Sequence, residues 1–373
     1  MSRGPIFIVG AMGSGTTLLR LVLDAHPGIA IPPETGFMRA YDAHRYTPFK
    51  ASGKDWMKRL GWSDAERDEL LGAMYDRAFT RYAERHGKRR WGEKTPLHTW
   101  HVDDMARLFP DAQFIGMVRH PSASVASNMS RFRLSLTRSR AHWNRYTGEL
   151  VRQAARHGDR FALMRYEDLV TDPEPLLREL LDWLDEPWSD VVLQHHQVQG
   201  GRGGRARVEG KSRRDEPIDP SRIGKWKTTM REDHQRWLAE RTARRAAFFG
   251  YSMDEPLPTA PLAAAGGFVV YGPEIDRRID DFADLELREQ RELPIYDDFF
   301  DPRKVIVITR EQFDWITRPR GVRGLGAAVV RRFPERPRQA TVKAVRRTRS
   351  ALGLRRRPRK AGDRYGDARH RTE

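Results

Sequence analysis

The chain has 373 residues, 39% of them hydrophobic and 10% aromatic, enough for a sizeable core in one large domain with an appendage or in two domains. It has no cysteine, which excludes disulfides and thiolate chemistry, and no apolar stretch of the length a membrane span needs. The net charge of +17 is unevenly placed. From Gly321 onward there are 17 Lys/Arg against 4 Asp/Glu, so +13 belongs to the tail and +4 to everything before it. The basicity therefore describes the tail and says little about the partner of the rest, and nucleic acid is not expected there.

In chain order, Ile6 to Val9 is a short apolar run that predicts a strand buried on both faces. Gly10, Gly13 and Gly15 follow, and from Thr16 the spacing of Leu18, Leu19, Val22 and Leu23 predicts a helix to about Ala25. A strand, a glycine turn and a helix N-terminus together aim several backbone N–H groups at one point, which suits a phosphate or a sulfate. Ile29 to Ile31 suggests a second short strand, leading into Pro32-Pro33-Glu34-Thr35, where two prolines stiffen the backbone before Glu34. A helix is expected over about 37–45. Another is expected after a Ser63/Glu66 capping box, with Leu70, Leu71, Met74, Ala78, Phe79 and Tyr82 on one face.

Trp91 to Pro96 reads as a loop, followed by a helix over about 98–109. Ala112 to Val118 predicts a second buried strand that ends at Arg119, and His120-Pro121 opens a helix reaching about Phe132. On that helix Ser127 and Arg131 are four apart and share a face, so with Arg119 they form a second candidate grip for a phosphate. A helix over about 138–156, a strand over 161–164, a helix capped by Asp172 with Pro173 at its first position, and a helix over about 231–248 complete the pattern. Residues 200–216, glycine-rich and basic, read as a loop. Strands alternating with long helices predict an α/β fold, a P-loop-like parallel sheet with helices on both faces. The expected division is a catalytic region over 1–255, a linker over 256–267, a small segment of unassigned role over 268–318, and a basic tail over 319–373.

The first turn is near a nucleoside-triphosphate P-loop, with Gly10 and Gly15 in register and Thr17 at the hydroxyl position. However, Thr16 stands where that loop has its lysine, which argues against a kinase or an ATPase. Ser14-Gly15-Thr16-Thr17 after a first strand instead resembles the 5′-phosphosulfate loop of sulfotransferases that use 3′-phosphoadenylyl sulfate (PAPS). Arg119-x7-Ser127 after a hydrophobic strand resembles the same family's 3′-phosphate motif. Further pieces match in order over roughly residues 4–250. Glu34 resembles the general base of the protein-tyrosine sulfotransferase branch, Lys94 its lysine beside the transferred group, and Tyr166 its nucleotide-contacting tyrosine. Ser212 and Lys225 resemble its late serine and lysine at the nucleotide.

The resemblance implies transfer of a sulfuryl group from PAPS to a hydroxyl, with no metal. Gly13, Ser14, Gly15, Thr16 and Thr17 would hold the phosphosulfate, Arg119, Ser127 and Arg131 the 3′-phosphate, Glu34 the proton, and Lys94 the departing oxygen. One departure from the family pattern stands out: Gly13 occupies a position that usually carries Lys or Arg.

Rival readings accompany this one. His98, His101 and His120 lie near the motifs as alternative bases, and Trp226 is either a platform for adenine or a buried core residue. A PAPS-binding protein without activity is motivated by Gly13, and a basic-surface binder of membrane or nucleic acid by the tail. The acceptor is open among carbohydrates, glycolipids and other small hydroxyl metabolites, with the tail favouring an anionic membrane surface. Because the first strand begins at Pro5, a signal peptide is not expected, and the location expected is cytoplasmic, with peripheral attachment to a membrane as an option.

Overall fold

A computed structural model of the chain describes residues 4–46, 56–200, 216–260 and 268–270. Residues 201–215 of the expected loop, Ser212 among them, most of the segment over 268–318 and the whole basic tail lie outside the described residues.

The elements run β1 (Ile6–Gly10), α1 (Thr16–Ala25), β2 (Ile29–Ala30), α2 (Met38–Tyr46), α3 (Trp56–Arg59), α4 (Asp64–Arg85), β3 (Arg90–Lys94), α5 (Val102–Leu108), β4 (Gln113–Val118), α6 (Pro121–Phe132), α7 (Leu136–His157), β5 (Phe161–Arg165), α8 (Tyr166–Thr171), α9 (Pro173–Trp183), α10 (His195–Gly200), α11 (Lys225–Thr229), α12 (Glu232–Phe248) and β6 (Phe268–Val270). The strands form one sheet in the order β2-β3-β1-β4-β5-β6. The first five are parallel, and β6 closes the edge antiparallel to β5. Crossover helices between parallel strands cover both faces, as the alternation of strand and helix predicts.

The alternation of β1 shows how the sheet divides the core. Phe7 and Val9 join one buried cluster with Trp91, Phe114 and Phe161, against which α4, α5, α7 and α12 pack. Ile6 and Ile8 join the other, with Leu19, Leu23, Leu177 and Leu181 from α1 and α9. Burying each such side chain contributes about 1.5–3 kcal/mol.

Three local expectations need correction. Trp91 to Pro96 is not a loop: Arg90–Lys94 is a fully buried strand between β2 and β1. Its charged residues conceal it, because their burial depends on partners distant in sequence. On α4 the buried side is Leu71, Tyr75, Phe79 and Ala83, whereas Leu70 and Met74 are 47% and 48% exposed. The capping box of Ser63 and Glu66 forms as expected. Asp172 precedes α9 but its side chain makes no cap bond, leaving Pro173 as the feature that starts the helix.

Candidate active site

The C-terminal ends of β1, β4 and β5 are neighbours, and so are the turns that leave them. After β1 the backbone is left-handed at Gly13 (φ 83°) and Gly15 (φ 99°), conformations that favour glycine. Ser14 is turned inward. Its N–H and its hydroxyl both donate to the carbonyl of Ala11, at 3.1 and 2.6 Å, so the hydroxyl expected to meet a ligand braces the turn instead. The Met12 N–H donates to Nε2 of His142 (3.1 Å), and the Gly10 N–H to Thr99 Oγ1 (2.9 Å). The N–H groups of Gly13, Gly15, Thr16 and Thr17 have no partner among the described residues. Four such donors at a helix N-terminus make an anion cradle.

Arg119 leaves the end of β4 and donates from Nη1 to the Gly13 carbonyl at 3.2 Å. Its guanidinium lies over the Tyr166 ring, 4.1 Å from the centroid. Tyr166 opens α8 immediately after β5 and presses on the loop, so that a Cβ on Gly15 would fall 2.4 Å from its Cδ2. From α6, Ser127 Oγ and Asn128 Oδ1 each stand 3.2 Å from where a Cβ on Gly13 would be. Arg131 is one turn further on. Burial first, then the like charges of Arg222 and Arg119, pull its guanidinium below its ordinary value, and Glu34 opposes them. Neither Arg119 nor Arg131 is ion-paired to a carboxylate among the described residues. Guanidiniums gathered without carboxylate partners have the charge and donors that an anion would pair with.

On the other side of β1, the buried Lys94 at the end of β3 donates to Thr17 Oγ1 (3.2 Å) and pairs with Glu34, whose side chain is 42% exposed. The first glycine turn, Arg119, Ser127, Arg131, Tyr166, Glu34 and Lys94 are therefore brought together. Lys225 is exposed at the start of α11, its charge felt by Asp219.

The histidines weighed as bases are engaged elsewhere. His98 is buried against Glu93 (2.7 Å), and His101 sits between Asp42 and Asp104 at 3.4 Å from each. His120 accepts from the Ser122 N–H through Nδ1 and donates from Nε2 to the Ser252 carbonyl (2.9 Å). Trp226 is buried and stacks on His120 with centroids 4.9 Å apart, which fits the core alternative rather than the adenine platform.

Sequence reasoning missed Arg222, Asn128, His142 and Glu93. Arg222 carries no motif and enters because the turn of residues 220–222, capped by Asp219, reaches toward Tyr166 and Arg131. His142 lies on a helix 130 residues from the backbone group it holds.

A model of the sulfotransferase family matches residues 5–190. Protein-tyrosine sulfotransferase 1 of Danio rerio is 33% identical over 246 residues, covering 63% of this chain and 68% of that protein. The chain belongs to the sulfotransferase family. Protein-tyrosine sulfotransferase A of Caenorhabditis elegans is 32% identical over 247 residues, 61% of this sulfotransferase and 62% of its own length. Among solved structures, the sulfotransferase domain of the Synechococcus PCC 7002 olefin synthase aligns with 63% of this chain and 93% of its own, at 24% identity and a TM-score of 0.42. The expectation of a cytoplasmic location is corrected by these relatives, which are protein-tyrosine sulfotransferases of animals. Among the described residues no helix is long and apolar enough to cross a membrane, and that fact assigns no compartment.

Proposed function

We propose that this sulfotransferase moves a sulfuryl group from PAPS to an acceptor hydroxyl, with Glu34 receiving the hydroxyl proton. The observation that carries the reading is Arg119, which touches both the Gly13 carbonyl and the Tyr166 ring and so joins the two candidate anion cradles into one site. A ligand with phosphate groups at two ends, as PAPS has, matches that pair of cradles. The free N–H groups of Gly13, Gly15, Thr16 and Thr17 take the phosphosulfate end, and Arg119, Ser127 and Arg131 take the 3′-phosphate, with Tyr166 beneath. Ser14 contributes by shaping the turn.

As the acceptor oxygen bonds to sulfur, the bond from sulfur to the phosphate oxygen breaks and the acceptor proton passes to Glu34. Lys94 stabilises the negative charge left on the phosphate oxygen. Lys94 is also the answer to the missing basic residue at Gly13, because its ammonium already stands at Thr17 within the cradle. That position favours an active enzyme over a PAPS-binding protein without activity.

The relatives' names point to a tyrosyl hydroxyl on a protein, while the sequence left sugars, glycolipids and small metabolites open. The test is 35S transfer from labelled PAPS to a panel containing a tyrosyl peptide, oligosaccharides and a glycolipid, beside titration with adenosine 3′,5′-bisphosphate. Binding in the micromolar range with transfer to one class supports the proposal. Failure of the bisphosphate to bind removes it, and binding without transfer to any member gives the site to the inactive alternative.

A further inference from the structure

Glu93 and Lys94 are consecutive on a strand, so their side chains leave opposite faces. Each grips one of two consecutive residues in the Pro-Pro-Glu-Thr turn. Lys94 pairs with Glu34, and Glu93 Oε1 accepts from both the N–H (3.2 Å) and the hydroxyl (3.0 Å) of Thr35. The same oxygen accepts from Thr95 Oγ1 at 2.6 Å, and Thr95 Oγ1 in turn accepts from the Gly36 N–H at 3.3 Å. The other carboxylate oxygen meets His98 Nδ1 at 2.7 Å, and the His98 ring packs edge-on against Phe37 at 5.0 Å. The turn that carries Glu34 is thus tied at three successive residues to the last two residues of β3 and the one that follows them.

We infer that Glu93 is a positioning residue: through Thr35 it sets Glu34 against Lys94, and so fixes where the proton acceptor stands. The inference rests on Glu34 having the role proposed above. A carboxylate is suited to the task because both of its oxygens only accept: the donors of Thr35 and Thr95 gather on one while the other holds His98. Burial pushes the Glu93 carboxyl up, but His98 beside it and the bonds from Thr95 and Thr35 outweigh that and hold it below the ordinary range. Glu93 therefore stays an acceptor at neutral pH. Without it, a surface turn stiffened by Pro32 and Pro33 keeps its shape but loses its register on the strand.

The experiment compares Glu93→Ala, Glu93→Gln and Thr35→Val with the unaltered protein. Three quantities are read: affinity for adenosine 3′,5′-bisphosphate, turnover and acceptor KM with the acceptor the panel identifies, and amide exchange at Thr35. A misplacement of about 1 Å in a reacting group costs about 100-fold. Glu93→Ala is expected to lower kcat by at least about 30-fold on that basis while bisphosphate affinity stays within about twofold. Glu93→Gln, which keeps an oxygen for Thr35 and Thr95, recovers most of the loss. Thr35→Val, at an exposed position whose hydroxyl also accepts from the Phe37 N–H at 3.4 Å, lowers kcat several-fold by itself. Thr35 amide exchange accelerates at least tenfold in the alanine variant and returns in the glutamine variant.

Unaltered kcat in Glu93→Ala, or unaltered Thr35 exchange, overturns the inference. So does a parallel fall of affinity, turnover and melting temperature in Glu93→Ala with Thr35→Val unaffected, which makes Glu93 a scaffold residue only. If the unaltered protein binds no bisphosphate, the PAPS reading fails, while Thr35 exchange still decides whether Glu93 sets the turn.

Discussion

Arg119 donates to the carbonyl of Gly13 at 3.2 Å while its guanidinium stands 4.1 Å from the centre of the Tyr166 ring, so the residue assigned to one phosphate is bonded to the loop assigned to the other. The cause is the strand order, in which β1, β4 and β5 are adjacent and end at the same edge. A change in one cradle therefore propagates to the other.

Arg119 needs both the flat face of a guanidinium, for the tyrosine ring, and a fork of donors, for the loop carbonyl and a phosphate together. Lysine offers neither. Arg119→Lys is expected to weaken adenosine 3′,5′-bisphosphate binding by about tenfold and Arg119→Ala by about 100-fold, in line with the loss of charge-assisted hydrogen bonds. Calorimetric titration measures both, and an unchanged dissociation constant in the alanine variant removes Arg119 from the site.

Gly15 adjoins Tyr166 so closely that a Cβ would fall 2.4 Å from the ring, on a backbone already at φ 99°. Gly87, at φ 67°, has nothing within 4 Å of the corresponding position. Gly87→Ala pays only the left-handed strain of about 1–2 kcal/mol. Gly15→Ala meets the same strain and also drives Tyr166 away, and with it Arg119. We expect it to lose more than tenfold in bisphosphate affinity and to melt lower than Gly87→Ala. Equal behaviour of the two variants would show that the ring does not hold the loop.

These contacts mark where the sequence was legible and where it stopped. The glycine turn could be read because strand, glycines and helix start are contiguous, and Arg119 with Ser127 because a strand end and the helix that follows it carry the pattern. Strand β3 could not be read, since Arg90, Glu93 and Lys94 look like a surface loop until Glu34, Thr35, His98 and Glu186 are brought to them. The face of α4 was misjudged for a related reason. Leu70 and Met74 have the right spacing, but the side actually buried includes Arg67 and Asp68, an ion pair that hydrophobic periodicity ignores. Ser14 matched a motif by position, yet only the turn's own hydrogen bonding shows its hydroxyl facing inward.

Glu34 and Lys94 form one ion pair, so each change should be read against the other. Glu34→Gln keeps the shape and a hydrogen bond to Lys94 but cannot take a proton. Its turnover is expected to fall by about 10²–10⁴ with bisphosphate affinity unchanged. Lys94→Ala is expected to cost about 10²–10³ in turnover, the scale of one lost aimed charge. If Glu34→Gln turns over normally, another group receives the proton, and the engagement of His98, His101 and His120 makes water the first candidate.

Acid stability offers a test independent of any ligand. Burial holds three histidines neutral, pushing His120 and His195 down to about 4 and His142 down to about 3. A histidine with a depressed folded value binds its proton more readily when unfolded. Its contribution is therefore complete above about pH 6.5 and is lost as pH falls toward the folded value. A shift like that of His120 corresponds to on the order of 3 kcal/mol. Glu167 acts in the opposite direction, since burial raises its carboxyl and folding gains as it takes up its proton. We expect the histidines to dominate, so that the urea midpoint falls steadily from pH 6.5 to 4.5. His142→Gln, which keeps an acceptor for the Met12 N–H but does not titrate, should flatten that slope. A slope that His142→Gln leaves unchanged would mean that this ring takes up its proton as readily in the fold as in the unfolded chain, and the neutral His142 that holds the loop would have to be abandoned.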